Sequence, residues 1–152
     1  MKTIITVLSL LAVLSGCSSN SISLQTQNEN IRSYIASNNL QHVSRVNSFR
    51  FQGWNSLTDE FMFLSSSPKR NYLIELKGFC DDIRWAHVLR IHRQTDATLH
   101  AKFDSVFSLR NPQMNCRIDK IYPVTKEQRK AIYQLNEQKP EEPKSAEQPE
   151  TE

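Results

Sequence analysis

Between Val46 and Tyr122 apolar side chains recur at every second residue, run after run, and the links between the early runs are short. Phe61 and Phe63 alternate with Met62 and Leu64; Tyr72, Ile74 and Leu76 alternate with Leu73 and Glu75. Period two is strand geometry, because successive side chains of an extended chain point to opposite faces. Residues 46–52, where Phe49 and Phe51 alternate with Arg50 and Gln52, together with 88–93, 99–107 and 117–122, raise the total to five or six strands. Pro123 is expected to close the last one. Parallel pairing needs a crossover of a dozen or more residues, and the links between Phe49 and Leu76 have no room for one. The sheet must be mainly antiparallel, which disfavours a doubly wound α/β fold.

Helical signals sit on either side of the strands. Thr26-Gln27-Asn28-Glu29 fits a capping box, and Ile31, Tyr34 and Ile35 follow on one stripe, so a helix is expected over 27–38, ending at Asn38-Asn39. Thr125-Lys126-Glu127-Gln128 repeats the pattern before Ala131, Ile132 and Leu135, placing a second helix over 126–137. The expected fold class is α+β: an antiparallel sheet of five or six strands, curled towards a barrel, flanked by an N-terminal and a C-terminal helix. A chain of 152 residues suits one such domain, here 26–137. Only three glycines, with 38% hydrophobic and 23% charged residues, exclude collagen-like, wholly disordered and multi-span membrane chains.

Residues 17–137 carry 16 Lys/Arg against 11 Asp/Glu, a balance of +5, whereas 138–152 carry 2 against 5, a balance of −3. The second stretch has three prolines and no aliphatic residue larger than alanine, so it is expected to be a disordered acidic tail. The mild positive charge of the body has no dense basic stripe, and no nucleic-acid partner is expected.

Met1-Lys2 followed by an apolar run from Ile4 to Leu14 has the layout of an export signal. A run of eleven residues is too short for a lasting transmembrane helix, which takes about 20. The run ends in Leu14-Ser15-Gly16-Cys17, which resembles the lipobox of bacterial lipoproteins. That resemblance implies a signal peptide over 1–16, a diacylglyceryl thioether on Cys17 with an acyl group such as palmitate on its amine, and a polar tether over 17–25. Several acyl chains anchor stably where one does not. Ser18, rather than aspartate, at the second mature position points by analogy to the outer membrane, with the domain on its periplasmic face. The membrane is then the first expected partner, reached through Cys17.

With Cys17 lipidated, Cys80 and Cys116 remain, 36 residues apart. In an oxidising compartment such a pair is most simply a disulfide, the alternative being two free buried thiols.

The search for chemistry is less productive. His92 and His100 fall on one face of a proposed hairpin of 88–93 with 99–107, turned at Gln94-Thr95-Asp96-Ala97, but no third and fourth ligand follow at short spacing. No metal and no cofactor are expected. There is no G-x-S-x-G, His42 lacks evident triad partners, the pairs Asp59-Glu60 and Asp81-Asp82 are adjacent and point apart, and only Gly53 and Gly78 follow Cys17. The chain is not expected to be an enzyme. Phe49, Phe51, Trp54, Phe61, Phe63 and Phe103 read as core side chains rather than a stacking platform. Within the hairpin, Leu89 and Ile91 should face one way with Leu99, Ala101 and Phe103. Arg90, His92, His100 and Lys102, with Asp104, should face the other and form the candidate surface for an anionic ligand.

Residues 45–54 (Arg-Val-Asn-Ser-Phe-Arg-Phe-Gln-Gly-Trp), 72–76 (Tyr-Leu-Ile-Glu-Leu) with Cys80, 101–106 (Ala-Lys-Phe-Asp-Ser-Val), Cys116-Arg117-Ile118 and 121–128 (Ile-Tyr-Pro-Val-Thr-Lys-Glu-Gln) resemble a family of Gram-negative envelope proteins known only as a domain of unknown function. The resemblance covers about 43–130, supports export and the two-cysteine reading, and implies no activity. The functional expectation is a non-enzymatic cell-envelope lipoprotein, a structural or interaction module. The alternative is a periplasmic binding module for an anionic lipid, a glycan or a lipopolysaccharide phosphate.

Overall fold

The computed structural model describes residues 22–136. The expected signal peptide, Cys17 with most of its tether, and the acidic tail lie outside the described residues. The first helix, α1 (Leu24–Ser37), starts a turn earlier than the Thr26 capping box predicts. Ser23 is the reason: its hydroxyl accepts the Thr26 N–H at 3.2 Å and shares a 2.8 Å hydrogen bond with the Thr26 hydroxyl. Glu29 is left to accept from the Gln25 amide at 3.1 Å. The helix ends as expected. Asn39 takes the left-handed conformation, φ +49°, and the amides of Asn39 and Leu40 reach back to the carbonyls of Ala36 and Ile35.

Eight strands follow, with a short helix among them: β1 (Arg45–Asn47), β2 (Gly53–Ser56), β3 (Phe61–Ser67), β4 (Arg70–Leu76), α2 (Asp81–Arg84), β5 (Leu89–His92), β6 (Thr98–His100), β7 (Ser105–Ser108) and β8 (Cys116–Val124), before α3 (Lys126–Asn136). All the ladders are antiparallel. Six strands form one sheet in the order β2-β3-β4-β8-β7-β5, curled nearly into a barrel, and β1 pairs with β6 as a separate ribbon. The ribbon is tied to β8 by a bridge from Val43 to Ile121. The α+β, barrel-like architecture is therefore the one the alternation implies.

Both faces of β3, β4 and β8 are buried. Met62, Leu64, Ile74, Leu76, Ile118 and Ile121 point into the curl with Val46, Leu99 and Val106. Phe61, Phe63, Leu73, Tyr122 and Val124 point the other way and are roofed by Ile31 of α1 and Ile132 of α3. Each such side chain contributes roughly 1.5–3 kcal/mol when fully buried, so the two layers together hold helices and barrel as one unit. A bulge keeps the alternation in phase: Glu75 pairs with Lys120 but Leu76 with Ile118, which skips Asp119 and lets both Ile118 and Ile121 face inward.

Several local expectations are corrected. The run 46–52 is not one strand, because the chain bends after Asn47; Arg93 holds the bend by donating to the carbonyls of Ser48 (2.8 Å) and Phe49 (3.1 Å), leaving Phe49 80% exposed. The run 99–107 breaks at a turn over 101–103, where Lys102 has φ +71°. Asp104 causes the break: fully buried, it accepts from the amides of Gln94 (3.1 Å) and His100 (2.7 Å) and so pulls the chain inward. β5 consequently pairs with β7, and β6 with β1, instead of the two runs forming one continuous hairpin. Phe103, expected inside, is 67% exposed. Pro123 does not end β8. It lies two residues beyond Ile121, whose carbonyl faces Val43, so the missing N–H points to the same side and away from the β4 ladder.

At the far end of β4 and β8 a Cys80–Cys116 disulfide joins the start of α2 to the start of β8, the Cα atoms 6.0 Å apart. Gly78, φ +82°, makes the turn that brings Cys80 there.

Candidate functional site

The turn between β3 and β4, the segment from Val43 to β1, and the start of α3 surround a groove of about 780 Å³ at the end of the sheet remote from the disulfide. Its walls carry apolar groups from Val43, Val46, Tyr72, Pro123 and Val124. Its rim carries Arg45, Lys69, Arg70 and Lys126, all exposed, against one carboxylate, Glu127. Among the described residues none of these four cations forms an ion pair. A concave apolar wall with a few charges of one sign is the usual build of a site for an amphiphilic anion.

Local chemistry explains why the cations gather here. Pro68-Lys69 occupies the two-residue turn of the β3–β4 hairpin, so Lys69 and Arg70 project from its tip. Behind them Asn71, almost fully buried, accepts from Ser65 and Arg129, each at 2.8 Å. Arg129 lies over the rings of Phe63 and Tyr133, which fixes α3 and thereby Lys126. Thr125 and Gln128 form the expected capping box, the Thr125 N–H donating to Gln128 Oε1 at 2.9 Å and the Gln128 N–H to Thr125 Oγ1 at 3.2 Å. The Glu127 carboxyl is held below its ordinary range, first by its own backbone amide and then by Thr125. The Thr125 and Gln128 amides at the start of α3 are thus already occupied, and the positive charge around the groove comes from side chains.

A second polar cluster lies between α1 and the sheet. Glu75, nearly buried, accepts from Lys120 (3.0 Å) and the Tyr122 hydroxyl (3.2 Å), with Arg32 Nε at 3.8 Å; Arg32 also pairs with Glu60. Burial, and then the Glu75 charge, pushes the Tyr122 hydroxyl up; the Glu75 hydrogen bond pushes the Lys120 ammonium up. Nearby, Asn28 donates to Asp59 at 2.9 Å. Each carboxylate has a cationic or amide partner, so the cluster fastens α1 to the sheet.

The candidates from the sequence do not share one face. Arg90 and His92 are exposed on β5, His100 sits on β6 in the other ribbon, and Lys102 occupies the turn, paired with Asp119. That hydrogen bond from Lys102 holds the Asp119 carboxyl below its ordinary value. His42 lies edge-on to Tyr122, ring centroids 6.1 Å apart. Among the described residues no three His, Cys, Asp or Glu side chains come together as metal ligands. The groove cations Arg45, Lys69, Arg70 and Lys126 do not appear among the sequence candidates. The one available signal was Ser-Pro-Lys-Arg between two strands, a turn that had to place two cations at a sheet edge.

No curated protein and no solved structure matches the chain. Residues 1–140 match a family of unknown function, DUF6491. The match spans far more than half of the sequence, both buried layers and the groove, and on it the chain belongs to the DUF6491 family.

Proposed function

We propose that this protein is a lipid-anchored cell-envelope binding module, without chemistry of its own, that takes a phosphate- or carboxylate-bearing amphiphile in the groove between β1, the β3–β4 turn and α3. The single observation that carries this reading is the rim of four cations, without ion pairs among the described residues, above an apolar wall. The anchor rests on Leu14-Ser15-Gly16-Cys17, and the outer membrane, periplasmic side, on Ser18. This takes up the alternative expected from the sequence, an anionic ligand, and moves it from the Arg90, His92, His100 and Lys102 face to the groove.

The test is titration of the mature protein with lysophosphatidic acid below its micelle concentration, with lysophosphatidylcholine as the zwitterionic control. Arg45→Ala with Arg70→Ala should weaken the anionic probe about tenfold, ~1.4 kcal/mol from two exposed charge contacts. Salt should weaken it too, since screening shortens from roughly 10 Å at 0.1 M to roughly 3 Å at 1 M. Arg90→Ala with His92→Ala should change nothing. Equal binding of both probes, or loss in the β5 variant alone, would reject the groove.

A further inference from the structure

Seven large apolar side chains are exposed among the described residues, and five of them, Phe79, Trp85, Val88, Leu109 and Met114, belong to the segments around the disulfide. Short links hold these segments together. Phe79 precedes Cys80, which is bonded to Cys116, two residues after Met114. Trp85 follows α2 directly, and the Leu109 amide donates to the Val88 carbonyl at 3.0 Å. Trp85 is 62% exposed and Phe79 71%, although burying either ring would favour folding. Exposed aromatics grouped at one end mark a contact surface.

What covers that surface follows from where the chain enters. Asn28, in the first half of α1, donates to Asp59, and the Asp59 carbonyl accepts from the Cys80 amide at 3.0 Å. α1 then runs away from that end, since Val43, a few residues beyond it, bridges Ile121 beside the groove. The described residues therefore begin at the aromatic end, and Cys17, five residues before Ile22, is never more than about 17 Å from Ile22 even on a fully extended chain. Lys77, Arg110 and Arg117 lie on the same segments, exposed and without ion pairs among the described residues. Cations around aromatic side chains suit the headgroup layer of an anionic bilayer.

We propose that this end is a membrane-contacting surface: Phe79, Trp85 and Leu109 enter the interface of the bilayer that holds the Cys17 lipid, and the groove at the other end faces away from it. The proposal rests on the anchor reading above and adds an orientation to it. Trp85 reports directly, because the other tryptophan, Trp54, is half-buried against the barrel core.

The full lipidated protein is reconstituted into phosphatidylethanolamine and phosphatidylglycerol vesicles with brominated or ordinary acyl chains, and flotation and tryptophan emission are read on the same samples. The expected result is flotation, with emission quenched by the brominated chains and the quenching lost in Trp85→Phe. Arg45→Ala with Arg70→Ala, at the opposite end, should leave the quenching intact. A protein that floats but shows no Trp85-dependent quenching overturns the orientation and leaves the anchor standing. A protein that does not float removes the anchor, and the orientation with it.

Discussion

The two ends of the central sheet are built on opposite plans. At the disulfide end a covalent bond ties α2 to β8, and the surface shows aromatic side chains to solvent. At the groove end the elements are held by hydrogen bonds among Asn71, Ser65 and Arg129 and by the α3 cap, and the surface shows cations around a concavity. The contrast has a physical logic. The apolar groups left exposed at the disulfide end add no burial energy there, and a cross-link adds stability by restricting the unfolded chain. At the groove end Arg45, Lys69, Arg70 and Lys126 form no ion pair among the described residues, which leaves them available to a ligand.

Breaking the cross-link is the largest perturbation of this contrast. Closing a loop across 36 residues corresponds to about 4 kcal/mol in the loop-closure account. Cys80→Ser with Cys116→Ser should lower Tm by roughly 10–20 °C in calorimetry. Amide exchange should accelerate most around α2 and the start of β8, while β1 and the β3–β4 turn change least. Equal loosening of both ends would mean that they are one cooperative unit.

A smaller effect separates the ends from the zone between them. The Lys120 ammonium and the Tyr122 hydroxyl are both raised, from ordinary values of 10.5 and 10.0. Raised groups contribute stability that is complete below those values and is lost as pH climbs through the folded-state ones. Asp119, lowered from 3.8, contributes above that value and loses its contribution as pH falls through the folded-state one. Denaturant melts should therefore show a plateau across neutral pH with losses above about pH 10 and below about pH 4. In Glu75→Gln the alkaline loss should shrink while the acid one stays.

Where the sequence could be read and where it could not follows the range of the interactions. β3 and β4 were legible because both of their faces are buried, which leaves Phe61–Leu64 and Tyr72–Leu76 as short apolar runs of strand length with a turn signal between them. The disulfide was legible from the expectation of export and from the two cysteines left once Cys17 is set aside. The hairpin face was not, because its geometry turns on Asp104, whose partners are backbone amides and leave no mark on composition. Likewise Phe49 sits in a strand-like pattern and is turned out only because Arg93, distant in sequence, binds the carbonyls beside it. The groove joins Arg45, Arg70 and Lys126 from three separate segments, and only the Ser-Pro-Lys-Arg turn hints at any of them.

If anion recognition belongs to the groove end, lysophosphatidic acid added to the mature protein should slow hydrogen–deuterium exchange at 45–47, 69–72 and 126–128, with no change at 89–92 or 98–100. Protection on β5 and β6 with none around Arg70 and Lys126 would place the anion site away from the groove.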